Sequence, residues 1–236
     1  YLDVPANVYP RYFNTPNQKT LIDKLCALEN AEDGVIFSSG MAAITTAVMA
    51  HVSSGNRIVT TREVYGGTYE LMNSVLPKFG VQVTYINCWK TDAILAEIDK
   101  GLTLLYLETP TNPLLRVVDI KPLADAAHAR GAVVLLDATF ASPINQHPVD
   151  LGVDVVIHSA TKYLGGHHDV TAGFVCCNEP WFKKIWSLRK VLGGVMDPMS
   201  ACMTLRGMRT LELRIQKHNE NAMQVARFLE TRDKIA

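Results

Sequence analysis

The sequence predicts an α/β fold, a mostly parallel sheet flanked by helices. Short apolar runs alternate with longer helix-like segments through most of the chain, the pattern of parallel strands joined by helical crossovers. Several runs are apolar without alternation, among them Leu104-Leu105-Tyr106-Leu107 and Val133-Val134-Leu135-Leu136. Such runs suit strands covered on both faces. With 236 residues, 48% of them hydrophobic, the chain is long enough to bury the core of one large domain.

In chain order, a helical pattern at 18–28 leads to the first strand, 34–38. Ser38-Ser39-Gly40 then opens a helix at 41–51, because serine hydroxyls cap orphan N–H groups and glycine permits a tight turn. A strand at 57–60, a helix at 68–78 and a strand at 82–86 follow, then a helix at 91–98 and the apolar strand 103–108. Asp119-Ile120-Lys121-Pro122 starts a helix at 120–130, and Gly131 is placed to stop it. Strands at 133–137, 155–158 and 173–177 come next, with a helix at 181–190 on which Trp181, Phe182 and Trp186 pack toward the sheet. From 204 to 229 one long charged amphipathic stretch is expected to lead out of the domain.

Lysine plus arginine equals aspartate plus glutamate at 23 each, so no bulk field draws the chain to nucleic acid or an anionic membrane. No apolar run approaches the roughly 20 residues needed to span a bilayer. The five cysteines, Cys26, Cys88, Cys176, Cys177 and Cys202, are an odd number with no Cys-x-x-Cys pair. They read as reduced thiols in a cytoplasmic protein; Cys176 and Cys177, adjacent on a strand, face opposite ways. The chain opens on Tyr1 and stops just after a helical pattern, which suggests a piece of something longer.

In a doubly wound sheet, ligands bind at the carboxyl ends of the strands. Ser38-Ser39-Gly40-Met41 opens a helix whose free N–H groups form an anion site or are simply capped. Asp137 ends a strand, where a carboxylate in low dielectric needs a cationic partner such as a pyridinium nitrogen; a helix cap is the plainer alternative. At about 4 Å and an effective dielectric of about 20, such a pair gains about 4 kcal/mol before desolvation. The most specific stretch is His158-Ser159-Ala160-Thr161-Lys162-Tyr163-Leu164-Gly165-Gly166. Its hydroxyls can bind phosphate and its lysine amine can condense with an aldehyde; a surface lysine in a polar loop is the bland alternative.

Ser-Ala-Thr-Lys-Tyr-Leu-Gly-Gly-His at 159–167 resembles the cofactor-lysine motif of the Cys/Met-metabolism family of pyridoxal-phosphate enzymes. That family includes cystathionine γ-synthase, cystathionine γ- and β-lyases, methionine γ-lyase and O-acetylhomoserine sulfhydrylase. Other elements of the resemblance follow in order: Tyr9-Pro10-Arg11, Ser38 to Ala43, Val64-Tyr65-Gly66-Gly67-Thr68, Glu108-Thr109-Pro110-Thr111-Asn112-Pro113, Asp137-Ala138-Thr139-Phe140, and Arg206 to Leu211. The match covers nearly the whole chain.

The resemblance implies a fold-type I large domain binding pyridoxal 5′-phosphate. Lys162 would form the internal aldimine and shuttle protons, Asp137 would pair with the pyridine nitrogen, and Thr139 would support the ring. The phosphate would be held by the N–H groups of Gly40 and Met41 and the hydroxyls of Ser159 and Thr161. Tyr65 would stack on the ring and act as acid or base toward the leaving group; Asn112 would hydrogen-bond the phenolic oxygen. Tyr9 and Arg11 resemble a pair that reaches the phosphate of a neighbouring subunit, which implies a homodimer or homotetramer with shared active sites. The reaction implied is γ-elimination or γ-replacement on a sulfur amino acid or an activated homoserine. A cofactor-holding module without turnover and a general fold-type I aminotransferase are the alternatives.

The implied organisation is an arm at 1–20, a cofactor-binding domain at 21–205, and from 206 to 236 the start of a helix leading to a C-terminal domain absent from this chain. In the family that domain supplies the arginine for the substrate carboxylate, and neither Arg206 nor Arg209 matches it. Two departures stand out. Phe13-Asn14-Thr15-Pro16-Asn17 puts threonine before proline where the family commonly has Asn-Pro-Thr, and Gly67 stands where methionine γ-lyases usually carry cysteine. His167-His168-Asp169 offers metal-ligand chemistry, but adjacent histidines on a glycine loop rarely point at one ion, and no metal is expected.

Overall fold

A computed structural model describes residues 8–235; residues 1–7 of the expected arm, and Ala236, lie outside the described residues. The elements run α1 (Pro16–Glu29), β1 (Asp33–Phe37), α2 (Gly40–Met49), β2 (Arg57–Thr61), α3 (Gly66–Glu70), β3 (Gln82–Ile86), α4 (Thr91–Asp99), β4 (Leu104–Glu108) and α5 (Ile120–Ala129). They continue with β5 (Val133–Asp137), α6 (Ser142–Asn145), β6 (Val155–His158), β7 (Gly173–Cys177), α7 (Trp181–Leu192), α8 (Pro198–Met208) and α9 (Leu211–Glu230). The strands form one sheet in the order β1-β7-β6-β5-β4-β2-β3. Every neighbouring pair is parallel except those made by β7, which runs antiparallel to both β1 and β6.

The sheet is closed off on both faces. Every residue of β4, β5, β6 and β7 is buried, which accounts for apolar runs without alternation. Helices α4 and α5 pack against each other and onto β2, β4 and β5, whereas α2 and α7 pack against each other and onto β1 and β7. Phe182 and Trp186 are buried as expected, while Trp181 is only half-buried. All five cysteines are free, four of them buried and Cys202 exposed. Among the described residues no helix is long and apolar enough to cross a membrane.

Two predicted helices differ from those observed. The pattern at 68–78 becomes a short α3, a π-helical turn at Leu71–Val75 and a 3-10 turn at Leu76–Phe79. Pro77 lacks the N–H an α-helix needs at that point, so the hydrogen bonding changes register before it. The single stretch expected at 204–229 is two helices. Arg209 and Thr210 donate their N–H groups to Arg206 and Gly207, three residues back, and this tightened turn ends α8 before α9 begins. The start of α8 carries a local signal: Pro198 occupies the first turn, and the Asp197 carboxylate accepts from Met199 N and Ser200 N.

Candidate active site

Three parallel strands and the helix α2 deliver their ends to a cavity of about 440 Å³, which Tyr65 joins from the start of α3. It is lined by Gly40, Met41, Tyr65, Asn112, Asp137, Thr139, Ser159, Thr161 and Lys162, which are nine of the eleven residues singled out in the sequence. The cavity lies at the carboxyl ends of β4, β5 and β6, where an open α/β sheet leaves its crevice.

At one side α2 begins. The Ser39 hydroxyl accepts from Ala42 N at 3.0 Å, so it caps the helix as expected. Gly40 and Met41 line the cavity in the first turn of α2, whose N–H groups precede the intrahelical ladder and where the dipole favours negative charge. Ser159 and Thr161 stand beside them. Thr161 Oγ accepts from Ala172 N at 3.0 Å and donates to Ala172 O at 3.2 Å. To reach an anion its proton must leave that long carbonyl contact, while the bond from Ala172 N can stay.

Lys162 is exposed and sits in a coiled turn after β6. The turn is tied by Lys162 N to Ser159 O at 3.1 Å, Gly165 N to Ala160 O at 2.8 Å and Gly166 N to Lys162 O at 2.8 Å. From outside, α8 presses on it: a Cβ on Gly207 would stand 2.0 Å from Gly165 O, so only glycine permits this approach. Arg214, which sequence reasoning missed, clamps the same region, donating to Tyr163 O at 2.8 Å, Gly207 O at 2.9 Å and Thr210 Oγ at 3.1 Å. Nothing in its local pattern signals this, because the contact joins residues about fifty positions apart.

Asp137 is 5% exposed. Burial raises its pKa, opposed by hydrogen bonds from Thr139 and by the nearby His158. Thr139 N donates to Asp137 Oδ1 at 2.9 Å, and Thr139 Oγ accepts from Ser159 N at 2.8 Å, tying the Asp137 loop to the lysine loop. A buried carboxylate facing a cavity fits a ligand bearing a cationic N–H there. With free N–H groups and hydroxyls for a phosphate at α2 and a lysine between, the donor set fits pyridoxal phosphate.

Glu108, whose position in the Glu108-Thr109-Pro110 stretch gives no sign of a role, lines the cavity beside Asp137. Its Oε2 accepts from Tyr65 N at 2.7 Å and its Oε1 from Asn112 N at 2.8 Å. Burial, then the charge of Asp137, pushes its carboxyl up to about 8.

Tyr9 and Arg11 do not line this cavity. Arg11 donates to Lys190 O at 2.5 Å, and Arg189, which stacks over Phe13, donates to Arg11 O. The Thr15-Pro16 departure finds its place here, with Thr15 preceding α1 and Pro16 in its first turn. No group of three or more His, Cys, Asp or Glu side chains among the described residues is arranged to hold a metal ion; His167 Nδ1 is paired with Gly165 O at 2.8 Å.

The family model described as Cys/Met metabolism PLP-dependent enzyme matches residues 2–236. The chain belongs to this family. It is 43% identical to cystathionine gamma-synthase 1, chloroplastic, of Arabidopsis thaliana over 97% of its own length and 40% of that protein's. Among solved structures, a cystathionine gamma-synthase from Xanthomonas oryzae in complex with cystathionine superposes with a TM-score of 0.92 at 34% identity, covering 97% of this chain and 59% of that one. Cystathionine gamma-lyase from Lactobacillus plantarum, complexed with L-serine, gives 0.91 at 39% identity, covering 98% and 61%. The chain therefore spans about 40–60% of the length of these relatives, and pyridoxal phosphate is the cofactor of its family.

Proposed function

We propose that the chain carries the cofactor site of an enzyme performing γ-elimination or γ-replacement on a sulfur amino acid or an activated homoserine. The observation that supports this reading is the convergence of Lys162, Asp137 and the α2 N-terminus on one cavity. Relatives named as synthases and lyases of cystathionine support the substrate class. Free cysteines, four of them buried, suit a cytoplasmic setting.

In this reading Lys162 Nζ would hold the cofactor and would carry protons at the substrate Cα and Cβ. Asp137 accepts the ring N–H, and Thr139 keeps that carboxylate oriented. Gly40 N, Met41 N, Ser159 Oγ and Thr161 Oγ bind the phosphate. Asn112 hydrogen-bonds the phenolic oxygen, and the Tyr65 phenol covers the ring and exchanges a proton with the departing γ-substituent. The cofactor supplies an electron sink for the pair left when the Cα proton departs. Tyr9 and Arg11 reach the phosphate site of a neighbouring copy, so the working unit is a homodimer or homotetramer. The segment before α1 is then the exchanged arm; beyond 205, Gly207 and Arg214 still hold the lysine loop, and only the later, exposed turns of α9 lead away from the cofactor domain.

Borohydride reduction in the presence of pyridoxal phosphate, followed by peptide mass analysis, tests the lysine. A single adduct on Lys162, absent from Lys162→Ala, is expected. An adduct retained in that variant would sink the assignment.

A further inference from the structure

Glu108 ends β4 and Asp137 ends β5, and the two are register partners on adjacent parallel strands, so both carboxyls leave the sheet on the same face. Each residue is 5% exposed. Asp137 is accounted for by a ring N–H; Glu108 is a second buried carboxyl in the same wall with no role in that chemistry. Both of its oxygens are committed, one to the N–H of Tyr65 at the start of α3 and the other to the N–H of Asn112 in the loop after β4. One carboxyl thus ties together the two segments whose side chains would meet the cofactor ring.

We propose that Glu108 is a positioning residue that sets Tyr65 and Asn112 about the ring and tightens its hold on both when a cation is delivered to Asp137. The inference rests on the cofactor reading above. In the free cavity, burial and the Asp137 charge keep the proton on Glu108 until about pH 8. A cationic N–H against Asp137 cancels the repulsion between the two carboxyls, so Glu108 gives its proton to solvent more readily. Its carboxylate then accepts from Tyr65 N and Asn112 N through charge-assisted hydrogen bonds, roughly twice as strong as neutral ones. The other titratable groups facing it are Asp137 on β5, Tyr106 on β4, whose buried phenol is pushed well above 10 and stays neutral, and Tyr65 and Lys162 across the cavity.

The test uses 4′-deoxypyridoxine 5′-phosphate, which lacks the aldehyde and cannot bond to Lys162, titrated into the cofactor-free protein and its Glu108→Gln variant from pH 6 to 9. Glutamine keeps the shape but can accept only one of the two N–H groups and cannot ionise. Titration of the free ligand is common to both proteins and cancels in the ratio of dissociation constants. That ratio should rise about tenfold between pH 6 and 8 and then level off. A ratio that stays flat, whether at unity or above it, overturns the proposal, because a purely structural role weakens binding equally at every pH. Failure of the unaltered protein to bind the probe at all removes the cofactor reading and this inference with it. Should the variant not fold, calorimetry of the unaltered protein at pH 7 in two buffers of different ionisation enthalpy decides: net release of protons on binding is expected, and none overturns the proposal.

Discussion

Gly40 and Ser159 approach so closely that a methyl group on the glycine would stand 2.7 Å from the serine Cβ and 3.1 Å from its Cα. The start of α2 and the lysine loop after β6 therefore share one corner, and a hydroxyl is set against the first free N–H groups of the helix. Gly40→Ala cannot be relieved by rotating Ser159, because the contact is with the Cα and Cβ. Alanine favours the helix, yet the overpacking should cost about 1–3 kcal/mol. Pyridoxal-phosphate affinity should fall at least about tenfold while the far-ultraviolet circular dichroism is unchanged. Undiminished affinity would show that this corner does not bind the phosphate.

Much of this corner is readable in the sequence. Hydroxyls, glycine and lysine at strand ends carry local chemistry, and their positions follow from the alternation of apolar runs and helices. What escaped are contacts made by residues whose neighbours in sequence say nothing of them. Glu108 reads as the last residue of a strand until its two N–H partners, 43 positions before and 4 after, are seen. Arg214 reads as one more charge on an amphipathic helix until it meets the carbonyl of Tyr163, 51 positions away. The β1 to β7 pairing, antiparallel between distant segments, likewise has no local signature.

A second buried pair lies beneath the lysine loop. His158 Nε2 is 2.5 Å from Glu29 Oε1, with the two side chains 1% and 0% exposed, and it joins the end of α1 to the end of β6. Glu29→Ala leaves the imidazole facing a cavity without its acceptor, which should cost about 1–3 kcal/mol. Glu29→Gln retains an oxygen acceptor and should cost less. Urea unfolding checks both, and a loss below about 1 kcal/mol for alanine would show that the pair does not hold the loop.

Glu108 also gives the cofactor-free protein a pH-dependent stability. Its folded carboxyl titrates at about 8 against a usual value of 4.5, so between these limits the folded chain binds more protons than the unfolded one. The contribution is full below about pH 4.5 and is lost as pH rises through 8. Comparing Tm for the unaltered protein and Glu108→Gln from pH 5 to 8.5, the advantage of glutamate over glutamine should shrink as pH rises. An advantage that grows with pH would contradict the sign.

Arg11 should serve a site other than its own. Within its chain it donates to Lys190 O, and neither it nor Tyr9 lines the cavity that holds Lys162. If the arm reaches a neighbour's phosphate, Arg11→Ala removes a charge-assisted contact worth about 1.5–3 kcal/mol, or roughly one to two decades in dissociation constant. Mixed oligomers give the sharper measurement. Arg11→Ala and Lys162→Ala subunits carrying different affinity tags are combined and the heterodimer isolated. Its lysine-bearing site belongs to the Arg11→Ala chain, and an exchanged arm would come to that site from the Lys162→Ala chain, whose Arg11 is intact. That site should then bind pyridoxal phosphate as tightly as the unaltered protein, whereas a homodimer of Arg11→Ala subunits should be weakened at both sites. Equal weakness in the heterodimer and that homodimer would mean that each chain uses its own arm, and the shared-site arrangement would fall.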